Sequence, residues 1–465
     1  MLNALLATIT TFSGYGMPDA YKLSFIGEFI KLLIEGVSSI GVGIIIFTLI
    51  LKLITLPLDV YSRVSSKKMA LKQEAMKPEL EKLQRQYANN KELYNKKMMA
   101  LQKKQGISML SSCLPMIVTI VFFIIVINQF TAYSNYTNLS MINAMSSSYT
   151  DAVKNYNEIT GKNVLVTDEN GNVIISNDLI ELNEEVVYPE TILSEYSVER
   201  RTDTEGSIYY YATDVNKLGQ LVEIYNAKGF TKTKVGANQR LIKDENGNYS
   251  FNPDIWQSSE DVNNKTVSRE VAEFAFNNYI EENILPVGRK AAADTYYEMA
   301  PSFLWVKNLW SPDLPWKHPV LNSIAEYNFK DLKLTGEQAE AEFQEITYNL
   351  SEEKNQPNGY LVLVVLSIGV MLLSQLIMQK SQKTQMQLSS VDGQGAQTQK
   401  MMMWMMPIMF GVFAFIYNAS FSIYMIISSG LSTVSTVIIN KIVEKKFKKQ
   451  AEEDALKNDK RFFKK

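Results

Sequence analysis

At 465 residues the chain is long enough for two or three domains, and its formal net charge of −2 hides a sharp segregation. Residues 59–108 carry 12 Lys/Arg against 5 Asp/Glu, the tail 441–465 carries 10 against 5, and the segment 132–357 carries 19 against 35. The single cysteine, Cys113, and single histidine, His318, exclude an intrachain disulfide, a Cys/His zinc site and an HExxH centre, and GxxxxGK(S/T), GxGxxG and GxSxG are all missing.

Basic short loops beside a strongly acidic long one follow the positive-inside rule for a multi-spanning membrane protein, although that rule counts only Lys and Arg. Residues 1–37 read as an N-terminal extracytoplasmic, interfacial segment. Residues 1–15 are apolar and uncharged, so they lack the basic start of a secretory signal. In 18–35, Ile26, Phe29, Ile30 and Leu33 share one helical face while Lys22, Glu28, Lys31 and Glu35 interrupt the other. Such a helix suits the membrane interface, the alternative being a span merged with the next helix.

The first span, 38–58, ends at Pro57 and Asp59 and contains one cation, Lys52, with Thr48 one turn earlier on the same face. A lysine at the centre of an apolar span costs about 2.5–3.5 kcal/mol on insertion scales. Lys52 therefore either snorkels to the interface from near the helix end or faces a wet cavity inside a helix bundle.

Residues 59–108 read as a cytoplasmic helical hairpin with a kink or restart at Pro78, a turn at Asn89-Asn90 and a stop at Gly106. Its basic face, with Lys67, Lys68, Lys72 and Lys77, and its methionines Met98 and Met99 make it a candidate contact surface. That face suits anionic lipid or ribosomal RNA, and equally a plain solvated helix pair. The second span is 109–131, with Pro115 in its first turns and Cys113 as a small packing residue.

Residues 132–357 read as an acidic extracytoplasmic domain with an α+β globular core at about 150–300. NVLVTDENGNVIIS places Asn-Gly between two β-prone arms, and SIYYYATD, QLVEIYN and RLIKDENGNYSF read as further strands. SREVAEFAFNNYIEENIL, AAADTYYEMA and 325–356 read as helical, and the aromatic stretch 302–316 suits the outer membrane interface. The third span is 358–378, followed by a Gln/Ser/Gly-rich cytoplasmic loop at 379–400. Spans four and five are 401–417 and 420–440, joined tightly at Asn418-Ala419, and the basic cytoplasmic tail is 441–465. Five spans put the N-terminus outside and the C-terminus in the cytoplasm.

The array resembles the YidC/Oxa/Alb membrane protein insertases of the Gram-positive-like, five-span type, here with a large extracytoplasmic insertion. The resemblance rests on TLILKLITLPL, MKPELEKLQRQY with MMALQKKQG, SSCLPMIVTI, SFLW followed by SPD, and KMMMWMMPIMFGVFAFIYN, in the family's order. It covers 35–131, about 302–316 and 358–443. Lys52 stands where the family usually has arginine, and Thr119 where it usually has glutamine. Asn418-Ala419-Ser420 replaces a Pro-x-Gly turn, and Tyr424-Met425 reduces an aromatic pair.

The resemblance implies a helical polytopic membrane protein of the plasma membrane. It inserts and helps fold new membrane proteins through a cytoplasm-open hydrophilic groove, without enzymatic activity, metal or cofactor. The implied partners are nascent membrane proteins and the lipid bilayer, with the ribosome and the Sec translocon as further ones and no specific nucleic-acid sequence. The implied groove residues are Lys52 and Thr48, then Thr119, Gln129, Gln375, Asn418, Ser422 and Tyr424. Spaced polar groups of this kind equally serve as interhelical hydrogen bonds, each worth about 0.6 kcal/mol. The alternatives are a membrane sensor signalling from its outer domain and, behind it, a transporter, which needs polar groups on several spans.

Overall fold

The computed structural model describes residues 12, 14–37, 39–87, 90–104, 109–161, 190–202, 208–214, 275–381, 404–405, 408–409 and 411–462, and short pieces at 165–167, 173–175, 204, 216–217, 220, 241–243, 245–251 and 266–267. Eight helices organise it: α1 (Phe25–Glu35), α2 (Ile40–Gln86), α3 (Lys91–Lys104), α4 (Met109–Lys154), α5 (Leu285–Met299), α6 (Gly336–Ile346), α7 (Val362–Ser381) and α8 (Ala419–Phe462).

Helix α1 starts where Ser24 accepts a hydrogen bond from the Gly27 N–H, an N-cap that satisfies one of the free donors of the first turn. It packs on α2 through Ile30 and Ile34. Gly43 makes that approach possible, since a Cβ there would sit 2.6 Å from the Ile34 Cα. Phe25, Ile26 and Leu32 stay exposed on its other side.

Helix α2 does not stop at Pro57 and Asp59 or restart at Pro78; both prolines lie inside one helix. Each removes a single backbone donor, and the intact turns on either side carry the helix through. Its apolar portion, Ile40–Ser62, and Ala419–Lys449 of α8 are long and apolar enough to cross a membrane, while Val362–Ile377 is shorter. Helices α2 and α3 form the hairpin, with Met76 and Leu80 buried against Met98 and Leu101.

Helix α4 likewise runs on past 131. Its 46 residues span about 69 Å at the usual rise, long enough to join two separate cores. Val126, Ile127, Phe130 and Tyr133 belong to a bundle core shared with α1, α2, α7 and α8. Leu139, Ile142, Met145, Tyr149 and Val153 belong to an outer core shared with α5 and α6. Tyr15 from the N-terminal segment is wholly buried in that outer core, its hydroxyl donating to the Ala339 carbonyl at 2.7 Å.

The strands are short. β1 (Leu165–Thr167) pairs antiparallel with β2 (Val173–Ile175), in register Leu165↔Ile175, as the Asn-Gly signal predicts. β3 (Val198–Thr202) and β4 (Ile208–Ala212) pair antiparallel; after β5 (Leu241–Lys243) and its antiparallel partner β6 (Tyr249–Phe251), β7 (Thr266–Val267) adds to β4. The expected strand QLVEIYN lies outside the described residues beyond its first position. Helices, rather than a central sheet, supply most of the outer core.

The aromatic stretch 302–316 staples the starts of α7 and α8. Val306, Leu309, Trp310 and Leu314 are buried, while Leu304 and Trp316 are well exposed. Buried Asp313 accepts from the N–H groups of Tyr360 at 2.8 Å and Leu363 at 2.6 Å, capping α7. Asn358 donates to the carbonyls of Asn308 and Pro312, and its own Oδ1 accepts from the Asn308 N–H. The backbone N–H groups of Ala419 and Ser420 reach the Ser311 and Leu309 carbonyls, so the same loop also holds the start of α8.

Candidate functional site

Burial divides the bundle across one level. On α2, Gly41, Gly43, Ile44, Phe47 and Thr48 are buried, and no described residue from 49 to 75 is. On α8, every residue from Ala419 to Met425 is buried and every one from Ile426 to Thr433 is half-buried, with Thr436, Ile439 and Val443 buried again farther on. Helix α4 runs the other way and shows the mirror pattern. Val126, Ile127 and Phe130 are buried, while Val121, Ile124 and Ile125 are exposed.

The closed half is filled by aromatic rings. Phe47 meets Phe130 edge-on at 5.5 Å, Phe130 lies 5.9 Å from Tyr424, and Tyr133 meets Trp310 edge-on at 5.3 Å. Rings packed this way bring large apolar area and leave little room for water.

Lys52 begins the open half. Thr48, Lys52, Thr55 and Asp59 recur at helical spacing and form a polar stripe along α2. Lys52 Nζ lies 2.5 Å from Asp59 Oδ2, with the side chains 15% and 37% exposed. Thr55 donates to the Lys52 carbonyl at 3.2 Å. Helix α8 packs against both α2 and α7 and carries Ser428, Ser429, Ser432 and Thr433 along its half-buried stretch. Thr433 donates to Ser374 at 2.6 Å, and Ser374 to the Val370 carbonyl at 2.7 Å.

The predicted groove residues do not all gather here. Thr48 is buried just above Lys52 and donates to the Ile44 carbonyl at 2.7 Å. Gln375 is half-buried on α7, one residue from Ser374, in the open half. Gln129 instead accepts from the Ser24 hydroxyl at 2.5 Å, tying α4 to the start of α1. Asn418 caps α8, its Oδ1 accepting from the Phe421 N–H at 3.1 Å and the Ser420 hydroxyl at 2.7 Å. Tyr424 packs within the aromatic layer, and Ser422 is buried there, its hydroxyl without a hydrogen-bond partner among the described residues. The Thr119 side chain lies outside the described residues.

On the hairpin, Lys68, Lys72, Pro78 and Met99 are exposed, and Met98 packs on the Met76–Leu80 core. The side chains of Lys67 and Lys77 lie outside the described residues.

Sequence reasoning missed Asp59 and the Ser374–Thr433 contact. Asp59 carried a legible signal, because seven residues are about two helical turns and place it on the Lys52 face. Ending the span at Pro57 hid that relation.

A family model described as the 60Kd inner membrane protein matches residues 32–166 and 290–446, more than half of the chain. The chain belongs to this family. The match takes in α2, α3, α4 and α7 in full, most of α8 and only the end of α1, and leaves out 167–289, which holds nearly all of the strands.

Among curated relatives, the membrane protein insertase YidC of Fusobacterium nucleatum subsp. nucleatum is 34% identical over 103 residues, 21% of this chain and 48% of that protein. The membrane protein insertase YidC of Francisella tularensis subsp. novicida is 37% identical over 114 residues, 24% of this chain and 19% of that protein. The chain thus aligns with about half or less of the length of these curated relatives. No solved structure matches it. Family membership makes it a membrane protein, in keeping with its apolar helices.

Proposed function

We propose that this protein is a membrane protein insertase that passes a short polar segment of its substrate through a groove between its helices, without nucleotide hydrolysis. The observation that carries the reading is the abrupt change at Thr48–Lys52, from a dry aromatic interior to a half-buried stripe of hydroxyls with one ion pair.

A polar segment crossing pure hydrocarbon leaves its charges and backbone groups unsatisfied. A groove with water access to one level shortens the apolar path. Lys52 at its head offers an opposite charge where the local dielectric is low. The apolar helix of the substrate then leaves sideways into lipid, and its burial there drives the step. The aromatic layer blocks through-leakage on the far side.

In this reading the spans are 38–58, 109–131, 358–378, 401–417 and 420–440, the N-terminus lies outside, and the hairpin and tail lie in the cytoplasm. The exposed lysines of the hairpin meet the nascent chain, ribosomal RNA or anionic headgroups. The names of the curated relatives support the reading through the segments they share with this chain.

The test is insertion in insertase-depleted cells, with Lys52→Arg, Lys52→Ala and Lys52→Glu at matched expression and a substrate bearing an acidic translocated segment. Arginine is expected to support insertion, whereas alanine and glutamate fail. Equal insertion by all three would remove Lys52 from the mechanism.

A further inference from the structure

Asp59 has no part in the groove as the family resemblance describes it, yet it is the group that Lys52 holds. From Ile40 to Ser62 these two are the only charged residues, so this apolar stretch carries a neutral pair rather than a free cation. We propose that Asp59 is an internal competitor, occupying Lys52 at rest and yielding it to a carboxylate of the incoming segment. The inference rests on the insertase reading of Lys52.

Three observations carry it. The 2.5 Å contact is a charge-assisted bond that holds one of the three ammonium donors, so a substrate carboxylate competes with Asp59 for the charge of Lys52. The two partners differ in exposure, with Lys52 at 15% and Asp59 at 37%. The released carboxylate therefore sits closer to water and recovers solvation more readily than the ammonium. Finally, both lie on one helix about two turns apart, so exchange requires side-chain rotation and no rearrangement of the bundle.

The exchange is one for one. A carboxylate enters as a carboxylate leaves, and Lys52 is never left buried and uncompensated, the state that makes broken buried pairs costly. The consequence is selection by charge. Acidic segments compete for Lys52, while neutral or basic segments leave the pair closed. Asp59 is thus a specificity-determining residue for the translocated segment.

The experiment uses the full chain in insertase-depleted cells and one single-span substrate in three forms, whose translocated segment carries aspartates, asparagines or lysines at the same positions. Wild type is compared with Asp59→Asn, Asp59→Glu, Lys52→Ala and the double variant Lys52→Ala/Asp59→Asn at matched membrane levels. Asp59→Asn is expected to raise the ratio of acidic to neutral substrate inserted by about two- to fivefold, the scale of releasing a half-exposed ion pair, while Asp59→Glu keeps the wild-type ratio. Lys52→Ala leaves Asp59 as a lone anion, so it should reject the acidic form more strongly than the double variant does.

If Asp59→Asn leaves the ratio unchanged while Lys52→Ala still lowers it, the pair is merely structural. The competitor inference then fails and the groove reading stands. If Lys52→Ala leaves all three forms inserting like wild type, both fall.

Discussion

The outer core and the open half of the bundle handle polar groups in opposite ways. In the outer core they are enclosed and held by fixed partners. Arg289 forms two hydrogen bonds to Glu345, at 2.7 and 2.9 Å, and its guanidinium lies 3.8 Å from the Tyr348 ring centre. Glu342 is buried against the Ser146 hydroxyl and the Gly14 backbone N–H. In the open half, the hydroxyls of α8 are half-buried, and Lys52 is about as enclosed as Arg289 while its partner Asp59 is more exposed than Glu345, at 37% against 21%. Buried, satisfied groups fix a structure, whereas half-wet groups remain available for exchange.

The most severe way to break this division is to open the closed half itself. Phe130 is 1% exposed between Phe47 and Tyr424, so Phe130→Ala should cost about 3–5 kcal/mol through lost burial and the cavity left behind. Thermal unfolding of the purified protein in detergent measures the loss.

Next is the staple. Asp313→Ala strips the buried N–H groups of Tyr360 and Leu363 of their acceptor and should destabilise by about 2–4 kcal/mol, with Asp313→Asn milder because one acceptor oxygen remains. A Gly359→Ala change in the same loop should also destabilise, since its Cβ would strike the Asp313 carboxylate.

A third change sharpens the comparison without breaking it. Burial holds the Glu342 carboxyl above its ordinary range, against the opposing hydrogen bonds from Ser146 and Gly14. The folded state therefore binds this proton more tightly than the unfolded chain. Its contribution to stability is greatest in acid and is lost as pH rises through the folded pKa. Glu342→Gln keeps an acceptor without the charge, so it should melt higher than wild type at neutral pH, with the difference closing in acid. Melting curves across pH test this, and parallel curves at every pH would refute it.

The smallest effect belongs to the open half. Thr433→Val, which removes the bond to Ser374, should cost only about 0.6 kcal/mol, the average for hydrogen bonds between membrane helices. A loss as large as that of Phe130→Ala would mean that this half is as tightly built as the closed one.

Much of this organisation was legible in the order of residues. The apolar run around Lys52, the helical hairpin and the β1–β2 pairing all follow from local periodicity and turn chemistry, which depend on neighbours a few positions apart. The hairpin turn near Asn89-Asn90 was legible, but helix continuity through prolines was not, because a proline removes one hydrogen bond and only packing decides whether the helix survives it. Hence α2 runs past Pro57 and Pro78, and α4 runs from one core into the other.

The candidate site divides along the same line. Sequence alone marked Lys52, since a lone cation in an apolar run is costly and demands a reason, and it separated the basic loops from the acidic insertion. Tertiary structure decided what each polar group does. It assigned Asn418 to a helix cap and Gln129 to a bond with Ser24, and it placed Tyr424 in an aromatic layer. It also set Asp59 on Lys52. Those roles depend on which helices meet and at what depth, and residues far apart in the chain fix both.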